Sequence, residues 1–277
     1  MERQKTIGIM GVGMVGGALQ RFFEQKGIPT FVYDPGKELG SLEEINHADI
    51  IFVCVPTPFD REKMAFDSSY IEDSFQKLEG SKIVVIKSTV LPGVTNRMQE
   101  QYPHHKVLFN PEFLSEATAD EDMRNPDRQL VGYTEQSQDV ADEIMELLPR
   151  APFERTMPAI EAEMVKYFNN TFNAVKVIFA NQMYDVCQKL GINYDSVADA
   201  AAASRFLQVR DHLTVVHKGY RGYGGKCLPK DIKALIRYAE DLGVDLALHR
   251  TADTINERLL AEQGIQDPET FSKREGY

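Results

Sequence analysis

Apolar residues follow two rhythms along the chain, and the change between them divides it. In the first half, Thr6–Met10, Thr30–Tyr33, Ile50–Val55, Lys82–Lys87, Lys106–Phe109 and Gln129–Tyr133 are short runs rich in Val and Ile, apolar at consecutive positions. Such runs predict strands covered on both faces, as in a parallel sheet. Between them, Val15–Gln25, Ser69–Leu78, Gly93–Gln101 and Gln136–Leu147 carry apolar residues on one helical face. This alternation predicts an α/β fold, a doubly wound parallel sheet with helices on both sides.

From Pro158 the period lengthens. Val165, Phe168, Phe172, Val175 and Phe179 recur at steps of three and four, inside a segment that Pro158 opens and Gly191 closes. Proline at a helix start and glycine past its end are the expected punctuation. A helix of roughly 30 residues is long for a domain of this size, so it is expected to be the spine of an α-helical second domain. Shorter helices are expected at Asp195–Ala203, Pro229–Leu242 and Leu246–Glu262, with a polar tail beyond Gly264. The predicted domains are residues 1–156 and 157–277.

Composition narrows the classes. With 43 % hydrophobic and 26 % charged residues, the chain has the balance of a globular protein. A net charge of -11 disfavours nucleic acid and anionic membranes as partners. No apolar run approaches the roughly 18 residues of a membrane span. Three widely spaced cysteines fit a reducing, cytoplasmic location and offer no disulfide framework. The six histidines show no ligand spacing, so no metal is expected.

Chemistry enters at Gly11-Val12-Gly13-Met14-Val15-Gly16, which follows the first strand and opens the first helix. Its glycines permit a tight turn, close approach of a pyrophosphate to the backbone, and close helix–strand packing. The phosphates then meet the first-turn amides of Met14 and Val15 at the positive end of the helix. A Gly-rich turn alone would be weak evidence. Here the second strand also ends in Asp34, where an acid accepts a ribose 2′-OH hydrogen bond and repels a 2′-phosphate. Together these predict a Rossmann-like domain that binds NAD in preference to NADP.

Three further segments end predicted strands and so face the same crevice: Val55-Pro56-Thr57-Pro58, Lys87-Ser88-Thr89-Val90, and Asn110-Pro111-Glu112-Phe113-Leu114-Ser115-Glu116. A fourth, Gly222-Tyr223-Gly224-Gly225-Lys226-Cys227-Leu228-Pro229-Lys230-Asp231, lies in the second domain. Pro229 suits the first position of a helix, which puts Cys227 just before the helix start, where free amides and the dipole favour a thiolate. The flanking glycines let a bulky substrate reach the sulfur. Cys54, inside a strand, and Cys187, on the long helix, read as packing residues.

From about residue 5 to about residue 240 these motifs resemble the UDP-glucose and GDP-mannose 6-dehydrogenase family, GYGGKCLPKD most specifically. The resemblance implies NAD-dependent four-electron oxidation of the 6-hydroxyl of a nucleotide sugar to the uronate, with Cys227 carrying a thiohemiacetal and then a thioester. It implies that Lys166 assists proton removal and, with Asn170 one turn on, stabilises oxyanions. Asp231 becomes a partner of Lys166 in base catalysis, and Glu112 activates the hydrolytic water. Thr89 orders a water near the nicotinamide. Glu116 lies against that ring, and Val55, Pro56 and Thr57 line the cofactor site. Phe113, Leu114, Tyr223, Gly224 and Gly225 fall on the substrate side. The family's arginine before the cysteine is out of register here: Arg210 misses by one position, and Arg205 is a second candidate.

Two rivals share these features in part. A 3-hydroxyacid or 6-phosphogluconate type dehydrogenase has the Lys/Asn pair and performs one oxidation without a cysteine. A non-catalytic NAD-binding relative would keep only the dinucleotide loop. The resemblance also implies a homodimer on the long helix, from about Pro158 to Leu190. Family members continue into a third, Rossmann-like domain that grips the nucleotide. The expectation is therefore weak turnover by this chain alone, with a separate polypeptide supplying that domain or a substrate with a different carrier.

Overall fold

The computed structural model describes residues 5–60, 65–204, 213–217, 219–225 and 227–266. Arg205, Arg210 and Lys226 lie outside the described residues. Strands β1 (Ile7–Met10), β2 (Thr30–Tyr33), β3 (Ile50–Val53), β4 (Phe59–Asp60), β5 (Ala65–Phe66), β6 (Ile83–Ile86), β7 (Lys106–Phe109), β8 (Arg128–Tyr133) and β9 (Phe153–Pro158) come first. Among them lie helices α1 (Met14–Gln25), α2 (Leu42–Asn46), α3 (Ser69–Gln76), α4 (Val94–Gln101), α5 (Ala119–Arg124) and α6 (Ala141–Leu147). Then follow α7 (Ala159–Leu190), α8 (Tyr194–Ala202), β10 (Val216–His217), β11 (Tyr220–Arg221), α9 (Leu228–Asp241) and α10 (Ala247–Glu262). The chain divides into two compact units, Met1–Pro58 with Phe66–Lys166, and Phe59–Ala65 with Tyr167–Tyr277.

The first unit is built on a seven-stranded sheet in the order β2-β1-β3-β6-β7-β8-β9. Pairing is parallel from β2 to β7. Residues of one strand point alternately to two cores, which is why these runs read as apolar throughout. Ile7, Ile9, Phe52, Val85 and Leu108 meet Leu19 and Phe23 of α1 and Ile144 of α6. Met10, Ile51, Val53, Val84 and Ile86 meet Phe75 of α3 and Met98 of α4 on the opposite face. Winding reverses direction between β1 and β3, so the carboxyl ends of these strands frame the switch point where ligands of open sheets bind.

Two features of the sheet differ from the sequence expectation. The strand expected at Gln129–Tyr133 as one more parallel member pairs antiparallel with β7, Leu108 opposite Tyr133 and Phe109 opposite Gly132. The link from Asn110 to Asp127 holds only the short α5, which packs beside α1 through an Arg21–Asp120 ion pair. The chain therefore stays at the carboxyl edge and re-enters the sheet from there. Strand β9, parallel to β8, was not expected at all. Its sequence Phe-Glu-Arg-Thr-Met-Pro lacks an apolar run because it is a half-exposed edge strand. Pro158 ends β9 and so precedes α7 instead of lying within it.

Helix α7 spans 32 residues and ends at Gly191, whose φ of 66° lets the Gly191 amide donate to Gln188 O and the Ile192 amide to Cys187 O. In the second unit its inner face packs Ala174 and Ile178 against Tyr223, Ile232 of α9, and Ala252 and Leu259 of α10. The aromatic stripe faces the other way: Phe168, Phe172 and Phe179 are 70 %, 54 % and 55 % exposed.

Candidate active site

The glycine loop is shaped by steric necessity. Gly11 has φ of 85°, and a Cβ there would sit 2.7 Å from Cys54 O at the end of β3. A Cβ on Gly16 would lie 1.9 Å from Gly11 O, so only glycine lets α1 start this close to β1. Gly13, the N-cap of α1, has open space where its Cβ would stand, and α1 has neither a side-chain cap nor an acid in its first turn. The first-turn amides of Met14 and Val15 are thus available to an anion, and the residues fit a dinucleotide pyrophosphate. Asp34 Oδ2 accepts from the Val12 amide at 2.8 Å, and Lys37 Nζ donates to Val12 O at 2.6 Å, so the Val12 peptide is held from both sides. Asp34 Oδ1 has no hydrogen bond among the described residues, which suits a ribose hydroxyl. Lys37 gave no advance signal beyond its place in the Asp-Pro-Gly-Lys turn.

Next to this loop, the turns after β3 and β6 are laced together. Thr57 Oγ1 donates to Thr89 O at 2.8 Å, and Ser88 Oγ to Val55 O at 2.7 Å. Thr57 is buried, Val55 and Thr89 are half-buried, and Pro56 is exposed.

After β7, Glu112 and Lys166 form a buried ion pair. Lys166 Nζ donates to Glu112 Oε1 at 2.7 Å and to Glu112 O at 2.6 Å, while Glu112 Oε2 accepts from the Leu114 amide at 2.8 Å. Burial by itself would raise the Glu112 carboxyl. The charge and hydrogen bond of Lys166, the Leu114 amide and the charge of Lys87 outweigh it and hold Glu112 below the usual carboxylate range. Phe113 lies near two cations, with the Arg128 guanidinium 3.8 Å and Lys166 Nζ 5.6 Å from its ring centre. Leu114 is half-buried; Glu116 is exposed in the following turn, apart from Glu112 in environment although close in sequence.

One buried lysine was not singled out from the sequence. Lys87 is 3 % exposed, and its Nζ donates to Asn110 Oδ1 at 2.5 Å. Asn110 Nδ2 in turn donates to Leu130 O and Gln129 Oε1, fixing the turn that carries Glu112. Burial drops the Lys87 ammonium to about 8, against the pull of the Glu112 carboxylate. Burial pushes the Cys54 thiol up to about 12 despite Lys87, so it is held protonated.

In the second unit, Cys227 is the N-cap of α9, exposed, and its carbonyl accepts from the Asp231 amide at 2.8 Å. Gly222 and Gly225 before it have φ of 93° and 73°. Asp231 is 1 % exposed; Asn170 Nδ2 donates to its Oδ2 at 2.6 Å, and Lys230 Nζ lies 2.8 Å from its Oδ1. Gly224 is half-buried. Tyr223 is buried, ring and main chain alike, and presents little surface to a substrate. On α7, Lys166 and Asn170 sit one turn apart and buried, on the side away from exposed Phe168 and Phe172. No group of three metal-ligating side chains is found, and no helix is long and apolar enough to cross a membrane, among the described residues.

A switch-point glycine loop on a largely parallel sheet, followed by a helical unit on one long helix, defines a dinucleotide-dependent dehydrogenase fold. The chain belongs to the UDP-glucose/GDP-mannose dehydrogenase family: residues 37–149 match its NAD binding domain and residues 160–258 its central domain. It is 34 % identical over 230 residues to UDP-glucose 6-dehydrogenase of Rhizobium meliloti (strain 1021), covering 76 % of this chain and 50 % of that protein. The chain thus spans about half the length of such relatives. Among solved structures it is similar to a UDP-glucose dehydrogenase from Pyrobaculum islandicum, with a TM-score of 0.79, 27 % identity, and coverage of 94 % of this chain and 71 % of that one. A Mycobacterium tuberculosis 3-hydroxyisobutyrate dehydrogenase shares the fold at 17 % identity, with a TM-score of 0.73 over 99 % of this chain and all of that one.

Proposed function

We propose that the chain catalyses the NAD-dependent, four-electron oxidation of the 6-hydroxyl of a nucleotide sugar to a carboxylate, through a covalent intermediate on Cys227. What carries the reading is Cys227 itself, exposed at a helix start behind two glycines of positive φ, in a chain of this family. NAD, when bound by the Gly11–Gly16 loop with Asp34 on its ribose, accepts one hydride in each oxidation.

The chain's own groups do the rest. Lys166 takes part in removing the alcohol proton, and with Asn170 it stabilises the oxyanions that form. The Cys227 sulfur adds to the aldehyde carbon and keeps the aldehyde from escaping. After the second oxidation the carbon is a thioester. Glu112, held ionised by Lys166, accepts a proton from the water that cleaves the C–S bond, releasing the acid and the thiol. Asp231, buried against Asn170 and Lys230, serves the Lys166 proton transfers. Thr89 orders a water near the nicotinamide. The overall balance is one alcohol, two NAD⁺ and one water giving one carboxylate, two NADH and three protons.

The test is a screen of UDP-, GDP- and dTDP-sugars and sugar phosphates for NADH formation. Two NADH per acid, abolished by Cys227→Ser, is the expected result. A single-oxidation dehydrogenase is the second reading, favoured by the whole-length likeness to the 3-hydroxyisobutyrate enzyme. One NADH per substrate, undiminished in Cys227→Ser, would establish it instead. NAD binding with no turnover on any substrate would point to a non-catalytic relative.

A further inference from the structure

The loop that carries Cys227 is held by one turn of α10, on residues the proposed mechanism does not use. Asn256, 2 % exposed, grips the main chain of Tyr223 at both ends: its Oδ1 accepts from the Tyr223 amide at 2.7 Å and its Nδ2 donates to Tyr223 O at 2.9 Å. Gly222 makes room for this grip, since a Cβ there would come 2.6 Å from Asn256 Oδ1. Three residues before Asn256, Asp253 acts on both sides of the cysteine. Its Oδ1 accepts from the Tyr223 hydroxyl at 3.0 Å, upstream of Cys227. Its Oδ2 pairs with Lys233 on α9, downstream of Cys227 and also bound to Glu257. Burial and the Asp253 charge push the Tyr223 hydroxyl far above its ordinary range, so it stays a donor.

We propose that Asn256 and Asp253 are positioning residues, which fix the approach loop and the first turn of α9 relative to each other and so set where the Cys227 sulfur stands. Asn256 holds the loop before the cysteine, and Asp253 ties that loop to the helix after it. A main chain with two glycines at positive φ has little stiffness of its own, so the clamp supplies what the loop lacks. The consequence for catalysis rests on Cys227 being the nucleophile. The consequence for thiol geometry does not.

Two readouts on the full chain test this. One is kcat with a nucleotide sugar that the native chain turns over. The other is the rate of Cys227 alkylation by iodoacetamide, resolved by peptide mass spectrometry and followed against pH. Asn256→Ala is expected to lower both, each on the order of tenfold, because the sulfur shifts from its place at the start of α9 and loses its attack geometry. NAD affinity should stay within about twofold. Asn256→Asp keeps the acceptor for the Tyr223 amide and loses the donor, so it should fall between. A clamp of purely structural value would lower Tm while leaving kcat and the alkylation profile of the folded variant within about twofold, and that result overturns the proposal. If Asn256→Ala does not fold, Asn256→Asp decides by the same readouts. If the native chain oxidises no nucleotide sugar, the proposed function fails while the alkylation arm still decides the clamp.

Discussion

At the scale of single residues, environment separates groups of the same type. The three cysteines lie in unlike settings: Cys54 is packed at a strand end with its thiol pushed up to about 12, Cys187 is in the core, and Cys227 is exposed at a helix start. Cys227→Ser is therefore expected to lower acid formation by at least roughly 1000-fold with NAD binding intact. Cys54→Ser and Cys187→Ser should leave kcat within about threefold. Steady-state NADH and acid assays check all three, and normal turnover in Cys227→Ser sinks the covalent mechanism. Asp34 has two tasks, bracing the Val12 amide and meeting the ribose. Asp34→Asn keeps an acceptor for that amide but removes the charge that repels a 2′-phosphate. It should shrink the preference for NAD over NADP in kcat/KM by about tenfold or more, and equal use of both cofactors by the native chain would show the assignment wrong. Cys227, Asp34 and the glycines could be read in advance because local spacing exposes them. The Lys166–Glu112 pair joins residues 54 positions apart, and Lys87, first residue of the Lys87-Ser88-Thr89-Val90 segment, carries no local sign of its burial. Asn256 and Asp253 look like ordinary polar residues of an amphipathic helix.

At the scale of elements, hydrophobic rhythm reports burial, and burial is silent about direction. The first three strands and α7, α9 and α10 come out within one or two residues of expectation because their apolar faces are complete. The antiparallel β8 has the same buried pattern a parallel strand would have, and β9 has too little apolar character to announce itself. Helix α4 shows a cap of a kind no local motif reveals. Its N-cap is Gly93, at φ of 97° with no side chain to offer, and the missing acceptor comes from Glu163 on α7. Glu163 Oε2 accepts from the Gly93 amide, and Oε1 from the Thr95 amide and hydroxyl. Burial nevertheless raises its carboxyl from 4.5 to about 7, against those hydrogen bonds. The folded chain then keeps a proton that the unfolded chain has released. That contribution to stability is complete below about pH 4.5 and is lost as pH rises through about 7. Urea unfolding across roughly pH 5 to 8 should show the native chain losing on the order of 1–3 kcal/mol more than Glu163→Gln over this window. Parallel pH profiles for the two would remove Glu163 as the source.

At the scale of the whole molecule, α7 poses the question of what covers it. Phe168, Phe172, Phe179, Met183, Val186 and Leu190 recur at helical spacing and are all exposed. The opposite face of the same helix holds Asn170, Ala174, Ile178 and Asn181, all buried. A stripe of aromatic and other large apolar side chains left outside departs from the usual order of a surface helix. Soluble monomers rarely show a contiguous apolar patch of more than a few hundred Å² without a partner for it. A helix lying against its own copy about a two-fold axis buries one self-complementary stripe twice over, which suits a single long element better than a compact patch. We propose that the chain is a homodimer on this face of α7. Light scattering at micromolar concentration should give twice the chain mass. Phe168→Glu with Phe172→Glu places like charges opposite one another across such an axis and should yield monomer with a lower Tm. Both positions are exposed and away from Lys166 and Asn170, so NAD affinity should stay within about twofold. A native chain that is monomeric at that concentration, or a double variant that still dimerises, would show that α7 does not make the interface.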